Sequence, residues 1–354
     1  RTCGSPETSE VSHTLPNQPL MMEQPHPRKR HHHPVLVGRP DDVFVPARPA
    51  RLDDGARIGI VSPAYWLDDE RLHRAVGVFE NAGFTIARGK STQLRQDIFA
   101  GSPEARAADI MAMFADPSID AIICARGGYG GNRVLPLLDY DVIRDNPKIF
   151  VGYRDVTGYL TSIAQRAGLV TFHGPMLSTF GRRTEQYNLE TFQRVLSGAG
   201  DLRIDAAAAC PARTLRPGLA RGALWGGNLT LVVERLATAG QLDTRGAILL
   251  LEDIDEQLYA FERMLLQLKN SGSLDGIRGL VVGEMLEMGD KDVPFGKNTD
   301  DIVLDICADL DIPVIANFPC GHGDCQATLP IGHEIELHAE GDAPYLRIPE
   351  PPVS

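Results

Sequence analysis

KIFVGYRDVTGYL (residues 148–160) is the stretch on which the reading of the fold turns. IFVGY (149–153) is a short run of apolar residues and glycine, the composition of a strand buried on both faces of a parallel sheet. DVTGYLTSIAQRAG (155–168) continues as a helix and ends on Gly168, a helix stop. Between the two, Gly-Tyr-Arg-Asp (152–155) leaves room only for a tight turn. Strand, sharp turn, helix is the setting in which α/β hydrolytic enzymes hold a nucleophile: the apex side chain stands clear of the sheet and the next amide can face a developing oxyanion. The apex here is Arg154, which stays protonated and presents only donors. It can bind a carboxylate but cannot form an acyl-enzyme.

The same rhythm extends on both sides. RIGIVSPA (57–64), FTIAR (84–88) and IDAIICA (119–125) read as strands. Residues 68–82 carry Leu72, Val76 and Phe79 at helical spacing and stop at Gly83. SPEARAADIMAMF (102–114) opens with Ser102 as N-cap and Pro103 at the first helical position, with Ile110, Met111 and Phe114 on one face. Strands alternating with helices predict a parallel sheet with helices on both faces. Residues 178–215 lose the rhythm and are expected to link two domains, 55–177 and 216–350. In the second, GAILLLED (246–253), GIRGLVVGEM (276–285) and IPVIANF (312–318) read as strands. YAFERMLLQLKNSG (259–272) and the segment after Asp300 read as helices, and HEIELHAEGDAPYLRI (333–348) alternates like an antiparallel hairpin.

Composition bounds the function classes. The 354 residues are 43% hydrophobic and 23% charged, ordinary for a globular chain of about two domains. A net charge of −12 argues against nucleic acid as a partner, since backbone binding needs clustered positive charge. No apolar run approaches the roughly 18–20 residues of a membrane span, and no secretory h-region is visible. The six scattered cysteines do not look like a disulfide framework, so a reducing, cytoplasmic setting is expected. Residues 1–54 are expected to be a disordered or loosely ordered extension, with RKRHHHP (28–34) a solvated basic tail rather than a metal or anion site.

Three further stretches can carry chemistry. RGGYGG (126–131) follows a strand, and its glycines let amides turn toward an anion. It lacks the Lys-Ser/Thr of a P-loop and the GxGxxG spacing, so an oxyanion hole or carboxylate-binding loop fits better, and a plain tight turn fits as well. ILLLED (248–253) ends a strand with two acids, and Glu256 follows. FPCGHGDC (318–325) presents His322 between glycines; Cys320, His322 and Cys325 match no common zinc spacing, so no metal is expected. The chain order Arg154, Glu252, His322 is that of a nucleophile–acid–base arrangement with arginine in the nucleophile's place.

On these motifs, together with HGPM (173–176), GALWGGNLTLV (222–232), LLLEDIDEQLYAFERMLLQL (249–268) and PCGHGDCQATLPIG (319–332), the chain resembles the serine peptidases that include the LD-carboxypeptidases of peptidoglycan recycling and the microcin-immunity peptidases. The resemblance covers roughly residues 55–345. It implies an N-terminal α/β domain with a nucleophile elbow and a smaller, β-rich C-terminal domain that donates acid and histidine. It maps the serine onto Arg154, the acid onto Glu252 with Glu256 as the alternative, and the base onto His322. Gly128 and Asp155 would supply oxyanion-hole amides, and Gly127, Tyr129, Trp225 and Asn228 would line the substrate. It further implies release of D-alanine from a muropeptide tetrapeptide without metal or cofactor, by a homodimer. The departure is confined to the elbow, where the family pattern Gly-Tyr-Ser-Asp reads Gly-Tyr-Arg-Asp.

Overall fold

The computed structural model describes residues 45–180 and 185–354; the basic stretch 28–34 and Cys3 lie outside them. The chain opens with β1 (Arg57–Val61), α1 (Asp69–Asn81), β2 (Thr85–Arg88), α2 (Pro103–Ala115) and β3 (Ala121–Cys124). It goes on through α3 (Tyr140–Asp145), β4 (Ile149–Gly152), α4 (Thr157–Ser162) and β5 (Thr171–His173). Local signals set these elements. Asp68 caps α1 by accepting from the Arg71 amide, and Leu72, Ala75, Val76 and Phe79 form its buried face. Ser102 caps α2 through the Ala105 amide, with Pro103 in the first turn. Phe114 of α2 stacks on Phe150 of β4 at 5.9 Å, which fixes that helix over the centre of the sheet.

The first sheet has the order β12-β5-β4-β3-β1-β2, parallel from β2 to β5. Its edge strand comes from far along the chain: β12 (Leu329–Ile331) pairs antiparallel with β5. Between lie α5 (Glu185–Leu196), β6 (Leu202–Asp205), β7 (Arg213–Arg216), β8 (Gly218–Asn228), α6 (Leu229–Glu234) and β9 (Ile248–Ile254). There follow α7 (Leu258–Asn270), β10 (Gly279–Leu286), α8 (Thr299–Ile306) and β11 (Val314–Ala316), and after β12 the hairpin β13 (Glu334–Ala339) and β14 (Tyr345–Ile348). The second sheet runs β6-β14-β13-β8-β9-β10-β11-β7 and is mixed, with β8 to β11 parallel.

Two expectations change on the structure. Residues 45–54 are not a loose extension: Ala47 bridges Leu169, and the Arg51 and Leu52 amides donate to Ser354 and Leu196. Those backbone bonds are invisible to a reading of local composition. The stretch 178–215 contains α5, β6 and most of β7, so much of the expected link is regular structure whose pairing partners lie far away in sequence.

Candidate active site

Three elements converge. The turn after β4 brings Arg154, whose φ of 62° lies in the left-handed region that non-glycine residues avoid. Gly152 permits this turn, because a Cβ there would collide with the Val156 side chain. β9 brings Glu252, fully buried. The third element is the segment in which the chain leaves the second sheet at β11 and enters the first at β12, and it carries His322.

His322 Nδ1–H donates to Glu252 Oε2 at 2.8 Å. With Nδ1 so engaged, Nε2 is the basic nitrogen, and it is buried with no partner among the described residues. Tyr153, next to the apex, packs edge-on against the His322 ring at 5.6 Å. The other face of Glu252 meets His173, whose Nε2 stands 3.8 Å from Oε1. Burial alone would raise the Glu252 pKa; the imidazoles of His173 and His322 outweigh it and hold the carboxyl at about 2. Of the two acids weighed, Glu252 and not Glu256 is bonded to the histidine; Glu256 lies beyond the end of β9.

The glycine loop is fixed from beneath. Arg106, 1% exposed, donates to the Pro63 carbonyl at 2.9 Å and the Gly130 carbonyl at 3.3 Å. Tyr159 Oη–H joins it on Pro63 at 2.9 Å. Gly128 lies against the Tyr65 ring, and Gly127 faces the Arg154 side chain. Among the described residues neither the Gly128 nor the Asp155 amide has an intramolecular acceptor, so both are available as donors. Burial raises the Asp155 carboxyl, with Arg154 opposing the rise.

The remaining candidates divide. Tyr129 is 54% exposed and open to a ligand. Trp225 is buried, and Asn228 is committed: its amide nitrogen donates to Asp253 at 2.8 Å and its oxygen caps α6 at the Leu231 amide. Both residues belong to β8, a central strand of the second sheet, and Asn228 lies in register with Glu252 of β9. Cys325 is bonded to Cys210 and is therefore unavailable as a metal ligand; Cys124, Cys307 and Cys320 are free and buried. The disulfide corrects the expectation that the cysteines are unpaired. Its partners lie 115 residues apart, which leaves no local signal. His173 and Arg106 were also missed as site residues. His173 opens the HGPM stretch, and nothing in the local sequence singles out Arg106.

A strained elbow, two unclaimed amides and a buried Glu–His pair are the parts of an α/β hydrolase-type centre. Sequence comparison is more specific. Residues 58–174 match the LD-carboxypeptidase N-terminal domain and residues 221–337 the LD-carboxypeptidase C-terminal domain. The chain belongs to the LD-carboxypeptidase family. It is 34% identical over 293 residues to the probable murein peptide carboxypeptidase of Bacillus subtilis, covering 82% of this chain and 91% of that protein. Among solved structures it resembles the muramoyltetrapeptide carboxypeptidase of Oxalobacter formigenes, with TM-score 0.76 and 31% identity over 83% of this chain and 99% of that one. It also resembles the microcin C7 self-immunity protein MccF in complex with aspartyl sulfamoyl adenosine, with TM-score 0.79 and 25% identity over 87% and 100%. The two-domain α/β fold is thus that of the family. Among the described residues no helix is long and apolar enough to cross a membrane.

Proposed function

We propose that this chain carries the binding and proton-transfer apparatus of an LD-carboxypeptidase acting on muropeptide tetrapeptides, and that Arg154 stands where the family's serine nucleophile belongs. The observation that carries the reading is His322, locked to buried Glu252 on one side and with a buried, unpartnered Nε2 on the other. A hydroxyl at position 154 would complete it. Its oxygen would attack the L–D amide carbonyl while Nε2 takes its proton. The Gly128 and Asp155 amides would hold the oxyanion, and the imidazolium would return the proton to the departing D-alanine nitrogen. Water would then hydrolyse the ester.

Arginine cannot make that bond, so the chain as written is silent or nearly so. Neighbouring hydroxyls do not replace it. Thr157 Oγ1 accepts the Asn228 amide at 2.9 Å, and Ser162 Oγ accepts from Arg235 at 2.6 Å. A homodimer belongs to the proposal on the resemblance alone; the cytoplasmic setting rests on the cysteine pattern, and the Cys210–Cys325 bond weighs against a strongly reducing compartment.

A second reading has its own observation. Arg126 has its pKa lowered by burial and then by the charges of Arg71 and Arg154, so three guanidiniums lie close enough to repel one another. Such a cluster suits a peptide carboxylate, and a non-catalytic muropeptide-binding protein would use it. One experiment separates the readings: mass spectrometry of an L,D-tetrapeptide incubated with the chain and with Arg154→Ser. Loss of one D-alanine only with the variant supports the enzyme fold silenced at one residue. Cleavage by neither, with binding by the chain that Arg154→Ala weakens, supports the second reading. Cleavage by the unaltered chain would refute the assignment of position 154.

A further inference from the structure

His322 is flanked by glycines and depends on its surroundings for its orientation. The segment 319–328 that carries it is tied down at several points. Asn188 of α5 donates to the Asp324 carbonyl at 3.0 Å and accepts from the Gln326 amide at 2.7 Å. The Gln326 side chain bonds back to the Gly321 and Gly323 carbonyls. A further tie next to His322 comes from β10. Glu284, 5% exposed, accepts the Gly323 amide on Oε2 at 2.9 Å, and the Glu284 amide in turn donates to the Cys320 carbonyl at 3.1 Å. The contact is close enough that a Cβ on residue 323 would collide with both Glu284 oxygens, which explains glycine there.

We propose that Glu284 is a positioning residue for His322: its buried carboxylate holds the Gly323 amide and thereby sets the preceding imidazole against Glu252. A buried carboxylate has few alternatives to such a donor, and a charge-assisted bond to a backbone amide is shorter and stronger than a neutral one. The grip is therefore tighter when Glu284 is ionised. Burial pushes this carboxyl up to about 7; the Gly323 amide opposes the rise, and Asp324 and Glu252 add to it. The titratable groups around it are Glu252 on β9, Cys320, His322 and Asp324 on the histidine segment, and Tyr187 on α5. Across neutral pH the histidine thus changes from loosely to firmly held as pH rises.

The inference takes its role for His322 from the proposed function, but its first test does not need catalysis. The ring signals of His322, assigned with His322→Gln, are followed by NMR against pH in the full chain and in Glu284→Gln. Glutamine keeps the acceptor and the shape but does not titrate. The expected result is an extra inflection near neutrality in the chain that Glu284→Gln removes while the signal stays sharp. Identical curves in both proteins overturn the proposal, whatever the activity. In an Arg154→Ser background that hydrolyses tetrapeptide, Glu284→Ala should lower kcat by about 10²-fold with KM little changed, the scale of a misplacement of about 1 Å. Glu284→Gln, which keeps the acceptor without the charge, should restore part of that loss. Equal kcat in Glu284→Ala and the background overturns the positioning role and leaves the proposed function standing. Absence of hydrolysis by Arg154→Ser, with the NMR inflection present, does the reverse.

Discussion

A carboxyl with no access to solvent, such as Glu252, stays ionised only where partners replace its water. His322 and His173 are those partners, and the lowered pKa is the measure of their effect. The sign follows. A carboxyl held below its unfolded value stabilises the fold above that value and loses the contribution as pH falls through the folded one. For Glu252 the window runs from about 4.5 down to about 2, and the contribution is at most about 3 kcal/mol. The unfolding free energy of the chain should therefore drop across this window more steeply than that of Glu252→Gln, measured by urea denaturation at each pH. Parallel curves would show that Glu252 is not held as an ion. Glu284 has the opposite sign. Its carboxyl is raised, so its stabilising contribution is present below about 4.5 and fades as pH rises toward about 7. Over that interval Glu284→Gln should gain stability relative to the chain. In the Arg154→Ser background, Glu252→Gln should cost about 10⁴-fold in kcat, because the glutamine NH2 can donate to the ring and favour the wrong tautomer, and the neutral side chain no longer stabilises the imidazolium. A loss below about tenfold would remove Glu252 from the reaction.

Among the elements, the elbow was the most legible, because the buried strand, the glycine and the helix stop lie within one short stretch. The cap of α2 was legible for the same reason: a cap bonds within its own turn. Met111 packs against the core only partly buried, and α2 also buries Arg106 and Asp109. Asp109 accepts from the Lys90 and Ser91 amides at 2.8 and 3.0 Å, so two polar residues face inward to serve backbone groups that periodicity cannot anticipate. β6 went unread because it gains its regularity from a distant partner, β14. The elbow offers a direct test. Gly152→Ala should destabilise the protein by about 1–3 kcal/mol through its collision with Val156, read from the urea midpoint. It should also abolish tetrapeptide hydrolysis in the Arg154→Ser background. Unchanged stability would mean that the turn is looser than the geometry indicates.

For the molecule as a whole, the decisive feature is the crossing from β11 to β12. It threads one segment between two sheets, so the histidine is positioned by both. The Cys210–Cys325 bond anchors the same segment. Reduction, or Cys210→Ser, should cost roughly 2–4 kcal/mol of stability, measured by urea unfolding with and without reductant. It should also speed amide exchange around residues 319–328. No change in either would show that the bond does not form in solution.

Features that depend on chain neighbours could be read in advance: the strand–turn–helix at 148–160, the capped start of α2, the alternating hairpin at the end, and the order of Arg154, Glu252 and His322 along the chain. The ordered motifs were enough to point to the family. Contacts across the fold bonded Glu252 rather than Glu256 to His322, put His173 behind the acid and Glu284 beneath the histidine, joined Cys210 to Cys325, and buried Trp225 and Asn228. Each of these is a contact between residues far apart in the chain. A hydrogen bond or a buried charge has no signature in local composition, because its energy depends on which distant group replaces water beside it.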